Sequence, residues 1–199
     1  MNAPSSFCQR PWQPFVKLKP ALFLDRDGVI NVDIGHAHKI EHIIFLPGIF
    51  ELVIRANRLG YAVLIVTNQA GIGKGLYTVS EFEFLMRWII AEFKSRGAII
   101  DDFAYCPHHP QAITPALRLD CRCRKPRSGM IFDLALKHQI NLAQSVFIGD
   151  RHTDVIAANG ASVPEVYLFN NPEEIDFLTD DLQNLVKPIS TFDCVLKTN

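Results

Sequence analysis

The chain has 199 residues, 20 lysines and arginines against 21 aspartates and glutamates, and a formal charge of -1; this suits one domain with a substantial core and gives no basic excess for holding a nucleic-acid backbone. No apolar run approaches the roughly 20 residues of a membrane-spanning helix. The opening "MNAPSSFCQRPWQPFVKLKP" lacks the apolar centre of a signal peptide, so the expectation is a cytoplasmic monomer that binds neither membrane nor nucleic acid.

Residues 1–20 read as a Pro-rich N-terminal extension and 21–199 as one domain, with no internal repeat and no linker. The first element is a strand, Leu22 to Leu24 in "ALFLDRDGVIN", which runs straight into Asp25 and Asp27. Next, Ile49, Leu52, Val53, Ala56 and Leu59 recur at helical spacing before Gly60. "YAVLIVTN" is continuous and apolar, as in a parallel strand covered on both faces. Thr78 and Glu81 form a capping-box pattern ahead of a helix with Phe82, Leu85, Met86, Ile89 and Phe93 on one face, stopping at Gly97. "FAY", "SVFIG" and "EVYLF" read as further strands, separated by helices near Met130 to Gln139 and Asp154 to Asn159. A last helix is expected in "EEIDFLTDDLQNLV" and an edge strand in "FDCVL". The alternation predicts an α/β fold, a Rossmann-like and mostly parallel sheet flanked by helices, without a large cap domain.

This order puts Asp25, the pair Thr67 and Asn68, and "GDRHTD" at carboxyl ends of strands, where open α/β sheets bind ligands. Each motif alone is a common turn or cap, but the three together suit a phosphate ester. Asp25 is the candidate nucleophile that would form an aspartyl phosphate. Asp27, two residues on, can protonate the leaving alcohol and later take a proton from water. Repulsion between carboxylates and phosphate calls for Mg²⁺, held by Asp25, Asp150 and the backbone carbonyl of Asp27, with Asp154 as an outer partner. Thr67 and Asn68 can donate to phosphate oxygens, and Lys125 in "CRKP" can neutralise charge as the phosphoryl group moves.

"FLDRDGVIN", "IVTNQAGIGKG", "CRKPRSGM" and "IGDRHTDVIAA" resemble the four ordered motifs of the haloacid dehalogenase superfamily, over about Ala21 to Ala158. Asp27 resembles the phosphatase branches, since the dehalogenases lack an acid there. More closely, the sequence is similar to the D-glycero-D-manno-heptose 1,7-bisphosphate phosphatases and the related histidinol-phosphate phosphatases. The resemblance implies nucleophile, acid/base and Mg²⁺-ligand roles for Asp25, Asp27 and Asp150. It also implies a structural Zn²⁺ held by Cys106, His108, Cys121 and Cys123 in "CPHHP...CRC", with His109 as the alternative imidazole. Three thiolates and one imidazole make a closed tetrahedral site with no position left for substrate, whose use is to order residues 105–125 and so fix Arg124 and Lys125. Reduced thiols without metal are the plain alternative.

With no large lid, the loop Asn31 to His38 and the zinc loop are expected to shape specificity. His36, His38 and His42 are read as a solvated or substrate-lining loop rather than a metal site. The sequence departs from the heptose pattern, where a tyrosine is usual at His36, an arginine at Lys74 and often a lysine at Arg151; Arg151 looks more like the histidinol-phosphate enzymes. A second phosphate calls for basic groups, for which Arg124, Arg151 and Lys74 are candidates. The expected substrate is a small phosphorylated metabolite, the heptose 1,7-bisphosphate losing its 7-phosphate on the route to lipopolysaccharide precursors. Histidinol phosphate is the alternative substrate. A non-catalytic zinc-containing interaction module is the alternative of another kind.

Overall fold

In the computed structural model, residues 18–170, 174 and 186–196 are described. The first 17 residues of the expected extension, and nearly all of the helix expected in "EEIDFLTDDLQNLV", lie outside them. The strands β1 (Ala21–Leu24), β2 (Ala62–Asn68), β3 (Asp102–Cys106), β4 (Val146–Gly149), β5 (Glu165–Phe169) and β6 (Val186–Ile189) form one sheet in the order β3-β2-β1-β4-β5-β6. Every neighbouring pair is parallel. The helices between them are α1 (Ile49–Arg58), α2 (Ala70–Gly73), α3 (Val79–Ser95), α4 (Gly129–His138) and α5 (His152–Gly160).

The period-2 alternation of strand side chains divides the core into two layers. Leu22, Leu24, Val63, Ile65 and Ile148 point to the face covered by α1 and α3, where Leu52, Val53, Phe82, Leu85 and Phe93 are buried against them. Phe23, Leu64, Val66, Phe147 and Leu168 point to the other face, against Met130, Leu134, Val155 and Ala158 of α4 and α5. Both faces being covered, the strands have to be apolar throughout, which is why β2 reads as an unbroken hydrophobic run. Each fully buried Leu, Ile or Phe contributes about 1.5–3 kcal/mol of transfer free energy. The expected capping box is present: Glu81 N–H donates to the Thr78 hydroxyl at 3.2 Å, and Thr78 N–H to the Glu81 carboxylate at 2.7 Å.

One element differs from expectation. "FDCVL" is a turn rather than an edge strand; Phe192 and Val195 plug the core, Phe192 stacking on Phe169 at 4.2 Å between centroids. The edge is instead β6, which contains Pro188, tolerated because an edge strand does not need every N–H for pairing.

The chain winds from β1 outward through β2 to β3, then returns to β4 beside β1 and winds the other way. The crevice between the carboxyl ends of β1 and β4 is therefore the switch point of the sheet, where ligands bind in such folds. Asp25 and Asp150 are the residues that follow these two strands, and Asp25 N–H donates to the Ile148 carbonyl at 3.0 Å.

Candidate active site

At the switch point lies a cleft of about 470 Å³ lined by Asp25, Asp27, Thr67, Asn68, Arg124, Lys125 and Arg151, together with Asp33, His36 and Tyr77. Of the phosphate-site residues expected from sequence, Asn31, Lys74 and Asp150 do not line it. Asp150 stands immediately behind, its carboxylate grouped with those of Asp25 and Asp154 within 4.8 Å.

Lys125 Nζ sits between Asp25 Oδ2 at 2.8 Å and Asp154 Oδ1 at 2.6 Å, and donates to the Val66 carbonyl at 3.0 Å. Three buried carboxylates thus face one buried ammonium. Burial pushes the Asp25 carboxyl up to about 7 against the opposing pull of Lys125, with Asp154 and Asp27 adding to the rise. Burial and the charges of Asp25 and Asp154 push Asp150 up to about 8, although Arg151 and Lys125 oppose them. Lys125 is the reverse: burial disfavours its charge, but Asp154 and Asp25 outweigh that and hold it protonated beyond the ordinary lysine range. An all-oxygen donor set with uncompensated negative charge fits a hard divalent cation. Asp154 is already engaged, its Oδ2 accepting from the backbone N–H of Asp150 and Arg151 at 3.2 and 3.1 Å, so it fixes the loop and Lys125. Gly28 permits the approach of this loop to the first one: its φ is +83° and an added methyl there would collide with the Asp150 carboxylate.

Asp27 turns away from this group. Arg26 donates to it from Nη2 at 2.6 and 2.8 Å and from Nε at 3.1 Å, Asn31 at 3.0 Å and Gln69 at 3.2 Å. Asn31 is fully buried, so its contact is with Asp27 and the Val32 carbonyl; burial removes it from direct contact with a ligand in the cleft. Gln69 Nε2 also donates to the Thr67 hydroxyl at 2.8 Å, and Tyr77 donates to Gln69 Oε1 at 2.6 Å. Arg26, Gln69 and Tyr77 were not singled out from sequence. The only signal for them was the position of Arg26 between two aspartates and of Gln69 after "TN". Asn68 has a different use from the one expected: its side chain accepts from Lys125 N–H at 3.0 Å and donates to the Lys125 carbonyl at 3.1 Å, clamping that loop to β2.

Arg124 donates to the His108 carbonyl at 3.1 Å, while Arg151 pairs with Asp33 at 2.8 Å. Burial holds the His109 imidazole below its usual value, and Arg124, Lys74 and His36 around it add to the effect, so the mouth carries a basic cluster. His38 stacks on Tyr77, its centroid 4.9 Å away, and meets His42 edge-on.

Beside the cleft, Cys106, His108, Cys121 and Cys123 converge and could hold a metal ion. Cys106 Sγ is 3.3 Å from Cys123 Sγ and 3.5 Å from Cys121 Sγ, and His108 Nδ1 is 3.3 Å from Cys123 and 3.5 Å from Cys106. These separations approach the edges of a zinc tetrahedron, about 3.5–3.8 Å for bonds of 2.0–2.3 Å. His109 is not in this group; its Nδ1 accepts from Gln111 N–H at 3.1 Å.

The HAD-hydrolase-like family model matches residues 122–167. D-glycero-beta-D-manno-heptose-1,7-bisphosphate 7-phosphatase of Photorhabdus laumondii is 36% identical, covering 84% of this chain and 89% of its own length. The alpha-anomer enzyme of the same organism is 37% identical, covering 87% and 97%. The chain belongs to the heptose bisphosphate phosphatase family of haloacid dehalogenase-like hydrolases. It is therefore a phosphoric monoester hydrolase, and the alternative of a non-catalytic zinc module falls away. Among solved structures, the D,D-heptose 1,7-bisphosphate phosphatase of B. bronchiseptica, complexed with magnesium and phosphate, superposes with a TM-score of 0.75 at 26% identity over 88% of this chain and 95% of that one. Among the described residues of this family member, no helix is long and apolar enough to cross a membrane.

Proposed function

We propose that this phosphatase removes the 7-phosphate of D-glycero-D-manno-heptose 1,7-bisphosphate, with Asp25 as nucleophile and Asp27 as acid and base. The observation that carries the chemistry is the array of Asp25, Lys125 and Asp154 opening on the cleft with Asp27 beside it. An Asp25 carboxylate oxygen attacks phosphorus and the ester P–O bond breaks, while Asp27 gives its proton to the departing alcohol oxygen. Water then attacks the aspartyl phosphate and loses a proton to Asp27. The acyl P–O bond breaks, releasing inorganic phosphate and restoring Asp25.

Lys125 steadies Asp25 and offsets its charge, and the Thr67 hydroxyl, already accepting from Gln69, has its own proton for a phosphate oxygen. Asp25, Asp150 and the backbone carbonyl of Asp27 would hold Mg²⁺, which supplies positive charge to the phosphoryl group. Cys106, His108, Cys121 and Cys123 would hold Zn²⁺ and brace the loop that carries Arg124 and Lys125. Arg124, which donates to the neutral His108 carbonyl, together with Lys74 at the basic mouth, suits the distal phosphate of a bisphosphate.

Side-by-side phosphate release from the heptose bisphosphate and from histidinol phosphate tests the assignment. The expected kcat/KM favours the bisphosphate about ten- to a hundredfold, one charge-assisted phosphate contact contributing roughly 1.5–3 kcal/mol. Equal or reversed preference rejects the heptose substrate while leaving the phosphatase chemistry in place.

A further inference from the structure

Arg26 is a fully buried charge whose role the reaction above does not specify. The backbone wraps around it: the Arg26 carbonyl accepts from Ile30 N–H at 2.8 Å and Asn31 N–H at 3.1 Å, and its own N–H donates to Asp25 Oδ1 at 2.6 Å. The guanidinium grips Asp27 from two nitrogens, Nε and Nη2, and Nη2 also donates to the Ala37 carbonyl at 2.8 Å. Its carbon lies 5.6 Å from the centre of the Phe82 ring. Nη1 has no hydrogen-bond partner among the described residues.

Stability alone is a poor reason for this arrangement. A buried ion pair roughly offsets its own desolvation cost, and an apolar side chain of similar volume often serves as well. Here the charge also leaves one nitrogen without a hydrogen bond, which adds to the cost. What the guanidinium does provide is direction. A planar fork fixes a carboxylate in orientation as well as distance, and Ala37 belongs to the segment that continues from the cleft-lining residues Asp33 and His36.

We propose that Arg26 is a positioning residue that aims the Asp27 carboxylate at the leaving oxygen and, through the Ala37 carbonyl, ties that aim to the loop Asn31 to His38. The inference rests on Asp27 being the acid. Its signature is dependence on the leaving group: an alkoxide needs the proton as it departs, whereas p-nitrophenolate departs without one.

The test compares kcat/KM, which reports the step in which the alcohol leaves and is blind to the later hydrolysis, for the heptose bisphosphate and for p-nitrophenyl phosphate. The proteins are the Mg²⁺-loaded parent, Arg26→Met, Arg26→Lys and Asp27→Asn. Arg26→Met is expected to lose on the order of 10²-fold on the sugar phosphate and under about tenfold on the aryl phosphate. Arg26→Lys keeps the buried charge, and so guards against a failure to fold, but not the fork; it should show the same split at smaller amplitude. Equal losses on both substrates in Arg26→Lys, or no loss, would overturn the proposal if Asp27→Asn shows the split. If Asp27→Asn itself shows none, the acid role of Asp27 fails and the proposal falls with it.

Discussion

Arg151 Nη2 stands 2.8 Å from Asp33 Oδ2, joining the start of α5 to the loop after β1 across the mouth of the cleft. The pair is partly exposed and contributes little to stability. Its expected effect is on binding, because Asp33 occupies the guanidinium and sets a negative charge at the cleft where a dianion would enter. Asp33→Asn is expected to lower KM for the bisphosphate roughly two- to fivefold with kcat within about twofold, and the gain should shrink in high salt. Steady-state kinetics at two ionic strengths checks this; an unchanged KM in low salt would remove Arg151 from the substrate contacts.

Asp25→Asn should keep the fold and abolish turnover, since an amide cannot form the acyl phosphate. Asp27→Asn should retain the nucleophile yet lose about 10²- to 10⁴-fold from missing proton transfer. Phosphate release by the two purified variants distinguishes the roles, and near-parental turnover by Asp25→Asn rules out its assignment.

Stability without metal should depend on pH in a direction set by Asp25 and Asp150. Both carboxyls are raised, to about 7 and about 8 from 3.8, so between those values the folded protein binds protons that the unfolded chain has released. Their stabilising contribution is fully present below 3.8 and is lost as pH rises through about 7 to 8. The expected result is a Tm that falls from about pH 5.5 to about pH 8.5 in chelator, with Mg²⁺ raising Tm more at the higher pH, because the cation binds the ionised carboxylates. Thermal melts with and without Mg²⁺ measure both slopes. A chelated Tm that rises across that interval contradicts the charge balance described for the cleft.

Cys121→Ser should release zinc and reduce activity indirectly, because the loop from Cys106 to Cys123 holds Arg124 through the His108 carbonyl. Elemental analysis of the purified parent should find about one zinc per chain beside any Mg²⁺. Fully active protein free of zinc would sink the assignment.

The sheet and its catalytic ends were legible because parallel strands buried on both faces read as plain apolar runs, and polar residues ending such runs mark the ligand side. Asp25, Asp27, Thr67 and Asn68 could therefore be placed in one cleft from sequence, whereas Lys125, which follows no strand, is placed there by its "CRKP" stretch. Arg26 could not, since nothing local to "DRD" distinguishes a buried guanidinium from a solvated one. Asn31 and Asn68 have the side-chain chemistry of phosphate donors, and only the folded geometry spends those amides on Asp27 and on the Lys125 backbone. "FDCVL" has strand propensity, but burial of Phe192 and Val195 is satisfied in a turn, and the edge position went to a segment whose proline argued against it.

The order of the sheet also bears on how the chain acquires activity as it is made. Asp25 leaves the ribosome with β1, but a strand beside it is β4, which comes after β2 and β3. Lys125, Asp150 and Asp154 all lie in the later half of the chain. A nascent polypeptide that ends before β4 thus carries Asp25 and Lys125 without the acidic loop of Asp150 and Asp154 that completes the group. The carboxylate group at the switch point is therefore assembled from both wings of the sheet, and two of its three members arrive only after β4.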